Sequence, residues 1–372
     1  MKILHILDTL SMGGAENLLI GLAGKQVACG HDVVVSPLVC PEHTPVRDKM
    51  EDKGIKVQPL KDKGTVYNPL FILKIIGVMH HFDIIHVHLF PALYWAGFAK
   101  IFSFSNTPIV YTEHSTTNRR RENFVLRTVD RFIYQNGYKM VIACSRKALE
   151  TYQETYPAVK HVCFINNGVD IKNNKNAVPY AKKDFLGLNE DAFIVTMVAR
   201  FMPVKRQDII VEAIAKLPSD IHAVFVGGDI DDRGVVRISS MADKMGVSDR
   251  VHFLYVRTDV PRILKTSDVI LMASDYEGLS LSSIEGMAAG KPFVASNVNG
   301  LREVVGGAGI LFENTDIESL IQPILKLYSD KDFYNKVAAK CSKRAGDYAL
   351  EGMVNDYIEV YRKVSEKKGS NT

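Results

Sequence analysis

Two carboxylates, Glu277 and Glu285, bracket the stretch EGLSLSSIEGMAAGKP with a small, uncharged segment between them. Paired carboxylates can trade protons, ligate a metal or hold the hydroxyls of a ligand, and their placement decides among these roles. The preceding DVILMAS reads as a buried strand, so Glu277 sits in the loop beyond its carboxyl end. Serine is a good N-cap, so a helix is expected to start near Ser280–Ser282 and to stop at Gly290, just before Pro292. Glu285 then lies on the helix and Glu277 outside it. On a single helix the two would be rotated by about 80°; split between loop and helix, they can reach different parts of one extended ligand. The free amides of Leu281 and Ser282 at the helix start would form an anion site between them. This layout differs from the two-carboxylate hydrolase, in which the groups flank one bond at roughly 5–10 Å. No third carboxylate or histidine in the stretch completes a metal set. A ligand with hydroxyls at both ends and a diphosphate in the middle, such as a nucleotide sugar, fits best.

Other residues at strand ends can serve the same ligand. In ARFMPVKRQD, Arg200 and Lys205 stand five residues apart in a strand-to-helix loop, where a guanidinium fork and an ammonium could pinch one diphosphate. An ordinary charged surface loop is the competing reading. After the first strand, Gly13 and Gly14 open a helix, either as a phosphate loop or as a plain tight turn. The pattern is not GxGxxG, and the second strand lacks a terminal acidic residue, which argues against a dinucleotide. His114 ends the strand TPIVYTEH, placed for a cleft hydrogen bond or for a structural one. His86 and His88 share one strand face and would need further partners to bind a metal. Arg119, Arg120, Arg121, Arg127 and Arg131 interleave with apolar residues, as on a solvated helix or on one lying against anionic lipid.

These residues require a scaffold of strands with ligand-binding carboxyl ends. The 372 residues suggest two domains, and the 47% apolar content supplies two cores. Strand and helix patterns alternate from KILHIL through KMVIACS, then start again at AFIVTMVAR and run to KPFVAS. That alternation predicts an α/β protein of two doubly wound parallel sheets facing across a cleft. Between the halves, NNGVDIKNNKNAVPYAKKDFLG reads as an aperiodic linker. A net charge of +4 permits anionic partners without demanding nucleic acid, and none is expected. Five scattered cysteines read as reduced cytoplasmic thiols. MKILHILD is interrupted by Asp8 and reads as a strand, not a signal peptide. No apolar run reaches the ~20 residues that span a bilayer. The expectation is a cytoplasmic protein, peripheral on the inner membrane face if the arginine segment binds lipid.

The ordered set of motifs resembles the GT-B retaining glycosyltransferases of family 4 (glycosyl transferases group 1). EGLSLSSIE matches their E-x7-E motif. GGAEN, FDIIHVH, YTEH, VIACS, NNGVD, ARFMPVKRQD, VFVGGD and GILFE follow in family order over nearly the whole chain. The resemblance implies two Rossmann-like domains: 1–175 on the acceptor side, joined by a C-terminal helix at about 348–372 that packs back on it, and 176–347 on the donor side. It implies that Gly13 and Gly14 approach the donor diphosphate and that Arg200 and Lys205 grip it. Glu277 would bind the transferred sugar, with His114 near it. Ser280 would lie near that sugar, with the amides of Leu281 and Ser282 on the distal phosphate, and Glu285 would hold the ribose. Asn167 and Asp170 would be structural.

Three positions depart from the pattern: Ala199 and Tyr255 stand where glycine is common, near the base pocket, and Ser280 replaces a frequent glycine or proline. The implied activity is hexosyl transfer from a nucleotide sugar, UDP-linked by expectation, to a glycan or lipid-linked acceptor in cell-surface polysaccharide synthesis. No cofactor and no metal are expected. A UDP-sugar epimerase and a non-catalytic nucleotide-sugar-binding partner of a glycan-assembly complex are the competing readings. The lysine motif that a phosphorylase would need is not found.

Overall fold

The structure is a computed structural model, and it describes residues 1–11, 14–114 and 119–366. The chain divides into two compact units, one of Met1–Gly168 with the segment from Leu350 onward, the other of Val169–Ala349.

The first unit carries seven strands: β1 (Lys2–Leu7), β2 (Asp32–Pro37), β3 (Lys56–Val57), β4 (Ile84–His88), β5 (Ile109–Glu113), β6 (Met140–Ala143) and β7 (Val162–Phe164). They form one parallel sheet in the order β3-β2-β1-β4-β5-β6-β7. Apolar runs such as Ile3, Leu4, Ile6 and Leu7 are buried on both faces, which is why these strands show no polar alternation. One face packs on the helix Gly14–Ala28 and the C-terminal helix Leu350–Glu366, the other on helices that include Phe71–Met79 and Ala92–Phe102. The C-terminal helix is tied to this unit by Lys25–Glu351 at 2.8 Å and by Tyr361, whose hydroxyl lies 2.6 Å from His86 Nδ1.

The second unit carries β8 (Phe193–Val198), β9 (Ile221–Val226), β10 (Val251–Phe253), β11 (Val269–Met272), β12 (Phe293–Ser296) and β13 (Ile310–Phe312), in the order β10-β9-β8-β11-β12-β13. All pairs are parallel. Strand order reverses between β8 and β11, and at such a switch point the loops leaving two adjacent strands diverge and open a crevice at the carboxyl edge.

Two sequence readings are modified. The segment read as a linker is ordered: it contains the helices Ile171–Asn176 and Lys182–Leu186, the first capped by Asp170, which accepts from Asn173 N at 3.0 Å. The unit boundary falls within it, near its start, at Gly168–Val169. The run VHFLYV, inside the second alternating stretch, reads as one strand, but the strand is cut to Val251–Phe253 because Tyr255 takes a left-handed conformation at φ 52° and turns the chain. No described helix is long and apolar enough to cross a membrane.

Candidate functional site

The second unit gathers the charged residues of the switch point on two loops. Beyond β8, Arg200 is exposed and has no side-chain partner among the described residues. The chain then makes a 3-10 turn at Pro203–Lys205 and passes through Arg206 at φ 53° into the helix Gln207–Lys216. Buried Gln207 donates to Arg200 O at 3.0 Å and so fixes the backbone that carries the guanidinium.

Beyond β11, Glu277 accepts from Lys205 Nζ at 2.5 Å and from Ser274 Oγ at 2.8 Å. The two loops are stapled together. Asp275 N donates to Val204 O at 2.8 Å, and Arg206 Nη1 donates to Asp275 Oδ1 at 3.0 Å. From below, Ser296 Oγ donates to Ser274 O at 2.5 Å. Gly300, in the helix Asn299–Val305, allows the closest approach: a Cβ there would lie 1.7 Å from Gly278 O and 2.5 Å from Glu277 O. Any side chain at 300 must push the Glu277 loop away.

The helix Leu281–Ala288 begins as the sequence predicts. Ser280 is its N-cap, accepting from Ser283 N, and Gly290 ends it at φ 76°. The amides of Leu281 and Ser282 occupy the first two helical positions and have no intrahelical acceptor. Glu285 lies in the second turn, half-buried, with no hydrogen-bond or ion-pair partner among the described residues. Loss of solvation pushes its carboxyl up to about 7. A carboxylate held this way lacks donors, and two ligand hydroxyls would supply them.

In the first unit, Gly13 lies outside the described residues. Gly14 opens a helix, and a Cβ there would meet nothing within 4 Å, so packing does not require glycine at this position. His114 follows β5, its Nε2 lying 3.0 Å from His88 Nδ1. Burial lowers His114 to about 4, so its ring is neutral near pH 7. His5 joins His86 and His88, the three ligating nitrogens lying within 4.8 Å of one another. Every ring nitrogen of the three is already engaged: His5 with Gln26 and His88, His86 with Tyr361 and Thr112, His88 with His5 and His114. An ion there would have to break hydrogen bonds inside a buried core.

The arginine segment requires a correction. Arg120 pairs with buried Asp130 at 3.6 Å and lies over the Phe90 ring, and Arg121 pairs with buried Glu113 at 3.2 Å. Both neutralise interior carboxylates that would be costly alone, so neither faces a headgroup. Arg127 and Arg131 are exposed beside Phe124, Val125 and Phe132. The side chain of Arg119 lies outside the described residues.

Sequence reasoning missed Ser274, Asp275, Ser296 and Gly300. Ser274 and Ser296 end the apolar runs DVILMAS and KPFVAS, but the roles of all four depend on contacts between loops that spacing does not reveal.

Comparison with known proteins follows this division. The model for glycosyl transferases group 1 matches residues 181–346, and that for glycosyltransferase family 4 matches residues 12–173. A relative in Escherichia coli, UDP-Gal:alpha-D-GlcNAc-diphosphoundecaprenol alpha-1,3-galactosyltransferase, is 25% identical over 79% of this chain and 80% of its own. The N-acetyl-alpha-D-glucosaminyl L-malate synthase of Bacillus anthracis is 26% identical over 77% and 76% respectively. Among solved structures, Anabaena HepE in complex with UDP superposes with a TM-score of 0.85 at 23% identity, covering 98% of this chain and 100% of that one.

The raised Glu285 gives a test on the ligand-free protein. Its folded pKa of about 7 exceeds the unfolded value of 4.5, so the folded state holds the proton longer. Stability is therefore expected to fall as pH rises from about 4.5 to about 7. Glu285→Gln should flatten that part of the slope in thermal melts across the range. An unchanged slope would show that the carboxylate is not desolvated.

Proposed function

The chain belongs to the group 1 and family 4 glycosyltransferases, enzymes of the GT-B fold, and from that premise we propose that it transfers a sugar from a UDP-sugar to a hydroxyl of a glycan or lipid-linked acceptor with retention of configuration. The observation that carries this reading is the Lys205–Glu277 contact on one sheet edge, set beside Arg200, two helix-start amides and Glu285, which have no side-chain or intrahelical partner among the described residues. Cation, anion and amides in that order match a diphosphate flanked by polyols. The UDP-galactose and the diphosphoundecaprenol-linked sugar in the name of the Escherichia coli relative, with the UDP bound by the Anabaena protein, support a UDP-linked donor and a lipid-linked acceptor.

In this reading Arg200 and Lys205 hold the diphosphate, the Leu281 and Ser282 amides take its distal phosphate, and Glu285 binds the ribose. Glu277 accepts from the hydroxyls of the transferred sugar, with Ser280 beside it. In the first unit we assign a sugar hydroxyl to His114. The bond between the anomeric carbon and the phosphate oxygen breaks, and the electron pair leaves with the nucleoside diphosphate. The acceptor oxygen bonds to the same face of that carbon, and its proton passes to the departing phosphate. The protein contributes position and preorganised positive charge, worth about 2.7–4 kcal/mol for one well-placed donor. No metal or cofactor enters the scheme.

Arg200→Ala and Glu277→Ala are each expected to lower turnover of a UDP-sugar by about 100-fold or more with melting behaviour retained. Normal turnover in either would overturn the site assignment. The same reading places the exposed face of Phe124, Val125, Arg127, Arg131 and Phe132 against anionic lipid that carries the acceptor. Each cation near such a surface contributes about 1 kcal/mol, so a double Arg127→Ser and Arg131→Ser variant should bind phosphatidylglycerol vesicles about tenfold more weakly or worse. Unchanged co-sedimentation would remove the membrane from the account.

A further inference from the structure

Three imidazoles and one amide form an unbroken hydrogen-bonded line through the first unit. Gln26 Oε1 lies 2.8 Å from His5 Nε2, His5 Nδ1 lies 3.1 Å from His88 Nε2, and His88 Nδ1 lies 3.0 Å from His114 Nε2. Gln26, His5 and His88 are buried. Ring centres are 5.3 Å apart for both histidine pairs. In each pair the gap between centre spacing and nitrogen spacing is close to twice a ring radius, so the nitrogens lie along the line of centres. That is the geometry of a shared proton, not of nitrogens turned towards one ion.

A neutral imidazole has one donor and one acceptor nitrogen, and fixing either end of the line fixes every ring in it. A carbonyl oxygen can only accept, so His5 carries its proton on Nε2 and accepts at Nδ1. His88 must then donate from Nε2 and accept at Nδ1. His114 in turn donates from Nε2, which leaves its Nδ1 bare, with no partner among the described residues. On its other side the Gln26 amide donates from Nε2 to Tyr361 Oη at 3.5 Å.

We propose that Gln26, His5 and His88 are positioning residues that set the tautomer of His114, so that this residue presents an unprotonated Nδ1 as a hydrogen-bond acceptor for a sugar hydroxyl. The assignment of the hydroxyl rests on the proposed function; the relay itself does not. Burial, which lowers all three imidazoles, keeps the line neutral and makes the tautomer, not the charge, the transmitted quantity. Gln26→Met preserves side-chain length and removes the acceptor. The line then relaxes by reversing: His5 donates from Nδ1, His88 from Nδ1, and His114 carries its proton on Nδ1.

The test is nitrogen-15 NMR of the full-length protein labelled at histidine, with His114 assigned by its loss in His114→Ala. In the wild type, His114 Nε2 should resonate as protonated and Nδ1 as bare, with the two exchanged in Gln26→Met. Protonated Nδ1 in the wild type overturns the proposal, with no variant needed. So does an unchanged His114 pattern in a folded Gln26→Met, or one equivalent of zinc bound to the purified protein with His5 and His88 as ligands. Turnover separates the two layers: Gln26→Met should slow transfer by about tenfold or more, since a misplaced imidazole proton is costly. If the tautomer exchanges while His114→Ala turns over normally, the relay stands and the sugar contact falls.

Discussion

The contact between Lys205 and Glu277 organises the second unit. A cation at the end of one strand and an anion at the end of its neighbour are held 2.5 Å apart, and everything around them limits how far either can drift. Adjacent parallel strands are only about 4.8 Å apart, so loops leaving β8 and β11 must either collide or diverge. Here they are joined first by Asp275 to Val204 and Arg206 to Asp275, then part to form the crevice. Gly300 admits the Glu277 loop from beneath, and Ser274 and Ser296 fix its height. A site built this way carries its charges in position before any ligand arrives, which is the condition for stabilising charge that develops during reaction.

The first unit solves a different problem. The face of β4 that continues from Ile84 puts His86 and His88 where aliphatic side chains would ordinarily pack. Burying imidazoles is tolerable only if each nitrogen finds a partner. The partners come from three places: Gln26 on the first helix, Thr112 and His114 at β5, and Tyr361 on the C-terminal helix, with the Tyr357 hydroxyl 3.2 Å behind Thr112. The return of the chain to this unit thus completes a polar core, in addition to covering apolar surface. Fully satisfied, such a network specifies one arrangement; partly satisfied, it would destabilise the unit.

Much of this was legible in the sequence because the relevant signals are local. Ser280 and Gly290 mark the ends of one helix by capping chemistry, and both ends fall where predicted. Buried parallel strands announce themselves as apolar runs, which is why the alternation gave both sheets. β7 was missed because three partly exposed residues at a sheet edge carry too little pattern. The segment at 166–187 looked aperiodic because its helices are five and six residues long, too short for a helical repeat. The arginine run misled for a physical reason: composition does not show that Asp130 and Glu113 wait in the interior to pair with Arg120 and Arg121. The role of Gly300 and the third histidine, His5, arise from contacts distant in sequence, which spacing cannot encode.

The central claim is that Lys205, held by Glu277, is part of the grip on a donor diphosphate. Calorimetric titration of UDP into the wild type and into Lys205→Met tests it directly. The account predicts saturable one-to-one binding to the wild type and an affinity at least tenfold weaker in the variant, about 1.4 kcal/mol. Equal dissociation constants for the two proteins would contradict it.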